Sequence, residues 1–179
     1  MYSWGESFAY GKEAVLGDLV ISAQAVPQEE IMADPVLSQQ SRLNVEYSLI
    51  PYIEQHPDTE FIIFFAPYSL VRWYEYYRQG SLQYHLNQKE ALIKRLLPFE
   101  NVRIYDFHAQ LQWILDLDLY VDSAHYGPEI NSEIAEMISR DECRITSLDQ
   151  SMRNDAVLVE YVDILRGYGY WPDTFDATP

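Results

Sequence analysis

The residues with the clearest chemical potential lie in the stretch Asp122-Ser-Ala-His125-Tyr-Gly127. A carboxylate three residues before a histidine can accept the Nδ1 proton of the ring when the chain turns between them. It then fixes the imidazole tautomer and leaves Nε2 free to take a proton from a nucleophilic hydroxyl. The spacing predicts a general-base pair in which Asp122 orients His125. The alternative interpretation is a turn aspartate followed by a surface or capping histidine.

The acidic loop that contains this pair also allows a metal site. The carboxylates of Asp116, Asp118 and Asp122, together with His125, are ligand types for hard or borderline cations. The aspartates at 116 and 118 are equally explained by a loop that must stay solvated, so we predict no metal site here.

An aromatic stretch, Tyr68–Tyr77, follows a predicted strand and offers surfaces that can bind a sugar or an acyl group. Tyr68, Ser69 and Trp73 are the predicted substrate-binding residues. The alternative is that the segment covers the sheet or forms a lid. Of the other polar candidates, His56, His85 and His108 are predicted to be structural, with His108 after Asp106 as a reserve base, and Cys143 to be an inert thiol.

The elements that position these residues alternate between helix and strand. The apolar run Phe61–Phe65 predicts a strand buried on both faces, and Asn101–Tyr105 predicts the next strand. Apolar residues at helical spacing predict helices near 36–55, 81–97, 128–139 and 150–166. Pro51 should kink or end the first helix, Ser81 should cap the second, and Ser147-Leu-Asp-Gln150 resembles a capping box for the last. This order predicts parallel strands and an α/β fold.

The chain reads as a single α/β domain or partial domain over 1–179. Residues 1–35 are poorly defined, 36–167 form the α/β core, and 168–179 form a tail. Two predicted strands are few for such a sheet. Either the first 35 residues contribute further strands, or the chain is part of a larger domain.

Composition restricts the class of function. The chain is 48% apolar, enough for a buried core, and its 28 acidic and 12 basic residues give a net charge of −16. Such a charge repels nucleic acid and anionic lipid. The single cysteine excludes a disulfide framework, no apolar run is long enough to span a bilayer, and Met1–Gly11 lacks a signal-peptide pattern.

The Asp122-x-x-His125 block before a helix resembles the last conserved block of the SGNH/GDSL hydrolases. The matching stretch begins at Tyr105-Asp106-Phe107, and Phe61–Phe65 followed by Ala66-Pro67-Tyr68-Ser69 is similar to a bacterial subgroup. The resemblance covers residues 36–140. It implies a three-layer α/β/α fold with a parallel, flavodoxin-like sheet, of which the chain holds the C-terminal part. It also implies a serine esterase or acyl hydrolase acting on a small-molecule, lipid or glycan ester, without metal or organic cofactor.

The nucleophile block of that family is not visible in the chain. The family serine lies in a Gly-Asp-Ser block, and the oxyanion-hole groups come from a Gly block and a Gly-x-Asn-Asp block. All three blocks precede the strand equivalent to Phe61–Phe65. The nearest match is Gly5-Glu6-Ser7, which only Met1–Trp4 precede. We therefore expect a serine from a longer protein, with Ser7 as the weaker candidate, and little esterase activity from the 179 residues alone. The competing hypothesis is a non-catalytic interaction module on the same scaffold.

Overall fold

The structure, a computed structural model, describes residues 9–17 and 43–167. The predicted helix start near residue 36, the tail 168–179 and Ser7 lie outside these ranges. The elements, in chain order, are α1 (Lys12–Gly17), a π-helical turn (Val45–Leu49), α2 (Ile50–Gln55), β1 (Phe61–Phe65), α3 (Leu70–Arg78), α4 (Leu82–Leu96), β2 (Val102–Asp106), α5 (Leu111–Ile114), a 3-10 turn (Leu117–Leu119), α6 (Pro128–Ser139), β3 (Arg144–Ile145) and α7 (Leu148–Gly167).

The parallel pairing predicted for the first two strands is confirmed. β1 and β2 run side by side, with Phe61 opposite Val102 and Phe65 opposite Asp106. Their carboxyl ends therefore meet at the same edge of the sheet, where the loops of an α/β protein build its sites. The protein is a mixed α/β structure that is rich in helix and has a small sheet.

The sheet differs from an all-parallel one in its third strand. Its order is β1-β2-β3, and β3 pairs antiparallel with β2. The chain reverses immediately before β3, where Asp141 and Cys143 both adopt the left-handed conformation, with φ of 58° and 60°. The expectation of a wholly parallel sheet is therefore wrong for this strand, which has only two residues and is too short to leave a pattern in the sequence.

Helices contact both faces of the sheet, because successive residues of a strand point to opposite sides. Ile104 packs with residues of α2 and α4, such as Ile53 and Ile93. Its neighbour Tyr105 packs with Ile130 and other residues of α6. No helix within residues 9–17 and 43–167 is both long and apolar enough to cross a bilayer.

The prediction that β1 is buried on both faces is wrong for the described part of the chain. Phe61, Ile63 and Phe65 are half-buried, whereas Ile62 and Phe64 are 45% and 42% exposed. β1 lies at the edge of the described sheet, so one of its faces receives less cover than that of the central strand.

The helix ends show which local predictions hold. Ser147 Oγ accepts the backbone N–H of Gln150 at 3.3 Å, as in a capping box, although the Gln150 side chain accepts from the N–H of Thr146 rather than of Ser147. Ser81 precedes α4, but its hydroxyl donates to the Tyr76 carbonyl and caps nothing. Pro51 lies in the first turn of α2, and the helix continues through it from the π-helical turn.

We expect Ser147→Ala to lower the free energy of unfolding by about 1 kcal/mol, because one N–H at the start of α7 loses its acceptor. Urea denaturation followed by circular dichroism measures the change. Ser132→Ala, on the exposed side of α6, is the matched control and should lower it by less than half as much. Equal losses in the two variants would contradict the assignment of the cap.

Candidate functional site

The loop that contains Asp122 and His125 is closed by its own backbone. Tyr120 and Tyr126 form an isolated antiparallel bridge, and the N–H of Val121 donates to the His125 carbonyl at 2.9 Å. The loop lies between the 3-10 turn and α6. It is therefore a tight turn, which the three-residue spacing of the pair requires.

Asp122 builds this turn and also orients the histidine. Its Oδ1 accepts the N–H groups of Ala124 and His125 at 2.7 and 2.8 Å, and its Oδ2 lies 2.7 Å from His125 Nδ1. The last distance is inside the ~3.2 Å limit of a hydrogen bond. Partial burial raises the pKa of Asp122, but the hydrogen bonds from Ala124 and His125 together lower it by more. The pKa of Asp122 therefore lies below its ordinary value. An ionised carboxylate is thus available to the Nδ1 proton.

The imidazole of His125 faces outward. Its side chain is 66% exposed, and within residues 9–17 and 43–167 no hydrogen bond joins its Nε2 to another group. The serine of the loop and the serine that contacts the loop are engaged elsewhere, since Ser123 Oγ donates to Glu75 and Ser69 Oγ donates to the Ser123 carbonyl. Asp122 and His125 are thus in hydrogen-bond contact, and the catalytic role of this pair stays a prediction.

Ser69 attaches this loop to the end of β1. Its N–H and its Oγ both donate to the Ser123 carbonyl, at 3.2 and 2.7 Å, and the residue is fully buried. The Tyr120 hydroxyl donates at 2.7 Å to the carbonyl of Pro67, two residues before Ser69. The predicted substrate contact through Ser69 stays a prediction, but its hydroxyl is already used to hold the loop.

The segment before α1 also packs against this loop, which the sequence did not indicate. The N–H of Gly11 donates to the Tyr120 carbonyl at 2.9 Å, and Val15 is buried against Tyr120. The Tyr10 ring lies so close to Gly127 that a Cβ there would come within 3.2 Å of it. The beginning of the described chain is therefore next to Asp122 and His125, which we call the candidate dyad.

A cluster of buried charges lies at the carboxyl end of β2. Lys89 Nζ of α4 is 2.8 Å from Asp106 Oδ2 and also contacts Asp155 of α7. Asn154 donates to the same Asp106 oxygen at 3.0 Å. Burial raises the pKa of Asp106, but Lys89, His108 and Asn154 together lower it by more. The pKa of Asp106 therefore lies below its ordinary value. Burial keeps the pKa of Asp155 above its ordinary value.

His108 is the reserve candidate, and its surroundings do not resemble a catalytic dyad. Its Nδ1 is 3.9 Å from Asp106 Oδ1, too far for a hydrogen bond, and has no partner among the described residues. Desolvation by burial lowers the pKa of His108 to about 3. The ring packs edge-on against Trp73, with centroids 4.6 Å apart. His108 is therefore a neutral part of an aromatic cluster.

A cavity of about 680 Å³ opens beside this cluster, at the carboxyl end of β1. Tyr68 and Trp73, two of the predicted substrate-binding residues, line it together with Lys89 and His108. Neither Asp122 nor His125 lines this cavity. The two sites are neighbours, since Tyr68 is followed by the Ser69 that holds the dyad loop.

The remaining candidates have local roles. No three His, Cys, Asp or Glu side chains of the described ranges, among them Asp116, Asp118, Asp122 and His125, are grouped so as to hold a metal ion. Asp116 caps the 3-10 turn through the N–H of Asp118. Burial raises the pKa of Cys143, which disfavours the reactive thiolate.

Comparison of the chain with family models, with curated proteins and with solved structures gives no match.

We expect Lys89→Met to lower the free energy of unfolding by about 3–5 kcal/mol, because the buried carboxylate of Asp106 loses its counter-ion. Lys94→Met, at an exposed position of the same helix, is the matched control and should change it by about 0.5 kcal/mol or less. Chemical denaturation measures both variants. Adding Asp106→Asn to Lys89→Met should recover part of the loss, and no recovery would contradict the ion-pair explanation.

We expect acid to destabilise the protein through His108. The unfolded histidine takes up a proton near pH 6.5, whereas the folded one stays neutral until about pH 3, so stability falls as pH drops through this window. Between pH 6.5 and 5 the native protein should lose about 1–2 kcal/mol more than His108→Phe. Urea midpoints at both pH values test this, with His56→Phe, in an exposed turn, as the control. Equal losses in native protein and His108→Phe would be the contrary result.

Proposed function

We propose that Asp122 and His125 form the general-base pair of a serine-dependent ester hydrolase. The observation that carries the proposal is the 2.7 Å contact between Asp122 Oδ2 and His125 Nδ1, with the other carboxylate oxygen held by two backbone N–H groups. A carboxylate held at both oxygens orients the ring without moving itself. His125 Nε2 is the basic atom and faces the accessible side of the loop.

The proposed fold is the three-layer α/β/α arrangement of the SGNH/GDSL hydrolases. Three features support it: the parallel pairing of β1 and β2, the helices that contact both faces, and the position of the dyad between β2 and α6. The proposed substrate is an ester, with an O-acyl group on a glycan, a lipid or a small molecule.

The proposed reaction has two steps. His125 Nε2 takes the proton of a serine hydroxyl as its oxygen attacks the ester carbonyl carbon, and the resulting imidazolium returns the proton to the departing alcohol. The same histidine then activates a water molecule, which releases the acid and regenerates the serine. Asp122 stabilises the imidazolium in both steps.

The proposal requires the serine to come from outside the described residues. Ser7, in the Gly5-Glu6-Ser7 match, is one candidate. A segment preceding Met1 in a longer natural form is the other. The competing proposal, a non-catalytic interaction module, is favoured by the lack of a hydrogen-bond partner for His125 Nε2 among the described groups.

Labelling with a fluorophosphonate probe tests the proposal and locates the serine. We expect one serine to be labelled, in the 179-residue chain if it is Ser7 and only in a longer natural form otherwise. His125→Ala should abolish labelling, and Asp122→Asn should slow the hydrolysis of p-nitrophenyl acetate by about 10³–10⁴-fold. His56→Ala is the control and should leave both unchanged. Absence of labelling in both forms would favour the interaction module.

The geometry of the dyad has a readout that needs no serine. Nitrogen-15 shifts of His125 at pH 8 should show the proton on Nδ1, and Asp122→Asn should weaken this preference. If His125 in the native protein shows no preference between its two tautomers, the dyad itself is wrong. A biased tautomer without any labelled serine would leave the dyad in place and remove the esterase.

A further inference from the structure

The cavity at the carboxyl end of β1 has the dimensions of a small-molecule site and is separate from the dyad. Its volume of about 680 Å³ lies within the roughly 300–1,000 Å³ typical of ligand pockets. Residues of β1, α3 and α4 line it, and neither Asp122 nor His125 is among them. The residues of its wall therefore determine what the cavity can bind.

Much of the wall consists of flat aromatic surface. Phe65, Tyr68, Trp73 and Tyr76 line the cavity, and the His85 ring stacks on Tyr76 with centroids 3.7 Å apart. Aromatic faces bind the C–H face of a ring through dispersion and burial, while the tyrosine hydroxyls supply a polar handle. The cavity thus suits a ring with an apolar C–H face and polar edges.

The polar groups of the wall are uncharged or already paired. Burial lowers the pKa of both His85 and His108, that of His108 to about 3, so each is neutral at pH 7 and offers one donor and one acceptor. Lys89 is held by Asp106 and Asp155, and Arg95 forms a two-point ion pair with Glu46. Neither a cationic nor an anionic ligand finds an uncompensated charge among these groups.

Two polar atoms in this wall have no hydrogen-bond partner within the described ranges. They are Trp73 Nε1 and His108 Nδ1, on side chains that are only 2% and 7% exposed. Nearly all buried polar groups of proteins are paired with protein or with bound molecules. Both atoms are covered by protein and do not face the cavity. The half-buried side chains of Tyr68, Tyr76 and His85 also line it, and their polar atoms can pair with the hydroxyls of a ligand, since each hydroxyl both donates and accepts.

From this chemistry we infer that the cavity binds an uncharged, hydroxylated ring of about the size of one hexose unit. Its C–H face would lie against the aromatic wall, and its hydroxyls would exchange hydrogen bonds with His85, Tyr68 and Tyr76. The inference does not rest on the esterase proposal, since binding here requires neither a serine nor the dyad.

Saturation-transfer NMR with the full 179-residue chain and methyl β-D-glucopyranoside tests the inference. We expect saturation of the sugar ring protons and a Kd on the order of 1 mM. Ala91→Trp places a large side chain in the cavity from an exposed position of α4 and should weaken binding at least tenfold. Ala156→Trp, at an exposed position of α7, is the matched control and should bind as the native protein does. Tyr76→Phe keeps the ring, loses the hydroxyl and should weaken binding about fivefold.

Two charged probes, benzoate and benzyltrimethylammonium, complete the experiment. The inference is overturned if the glucoside shows no saturation, if Ala91→Trp and Ala156→Trp behave alike, or if either charged probe binds more tightly than the glucoside in a manner that Ala91→Trp abolishes. His125→Ala should leave glucoside binding unchanged, which separates this result from the labelling experiment. Sugar binding without a labelled serine would support the site and reject the esterase.

Discussion

The buried carboxylate of Asp106 joins strand β2 to two helices and to the loop that follows the strand. As the last residue of β2 it accepts from Lys89 of α4 and from Asn154 of α7, and its second oxygen accepts the N–H of His108. Four parts of the chain are therefore held at the carboxyl end of the parallel pair. A charge so deeply buried is stable only while its partners are in place, because the lost hydration must be replaced by fixed groups. The aromatic cluster around His108 and the wall of the cavity depend on this arrangement.

A second set of bonds connects that framework to the dyad loop. Ser69, directly after the loop that follows β1, donates twice to the Ser123 carbonyl, and Tyr120 reaches the Pro67 carbonyl. The dyad thus lies on a loop whose position is set by the end of β1. The cavity and the dyad consequently share a support, the segment around Tyr68, while presenting different chemistry: neutral hydrogen-bonding groups in one and an oriented base in the other.

Features with a local cause could be predicted from the sequence. The Phe61–Phe65 run marks β1, helical spacing marks α4, α6 and α7, and the Asp122-x-x-His125 spacing indicates the contact that the structure shows. Features with a distant cause could not. Lys89 looks like any helical lysine, because its partners Asp106 and Asp155 are brought to it only by tertiary packing.

The sequence does not indicate α3 as a helix, because its tyrosines and Trp73 also favour extended structure, and their burial against α7 decides between the two. Ser81 and Ser147 precede helices alike, yet only the second caps, since the Tyr76 carbonyl competes for the first.

The exposure of His125 determines how much a dyad of this kind can contribute. At 66% exposure the imidazole is largely hydrated, and water screens its interaction with Asp122 far more than a closed site would. The carboxylate can still select the tautomer, because that depends on a short hydrogen bond rather than on long-range charge. Stabilising an imidazolium during a reaction is a different requirement, which becomes effective when substrate or another segment excludes water from the ring. The loop thus already orients the His125 ring. Electrostatic stabilisation of the imidazolium depends instead on the group that covers Nε2, and in the proposed reaction that group must also bring a hydroxyl to Nε2.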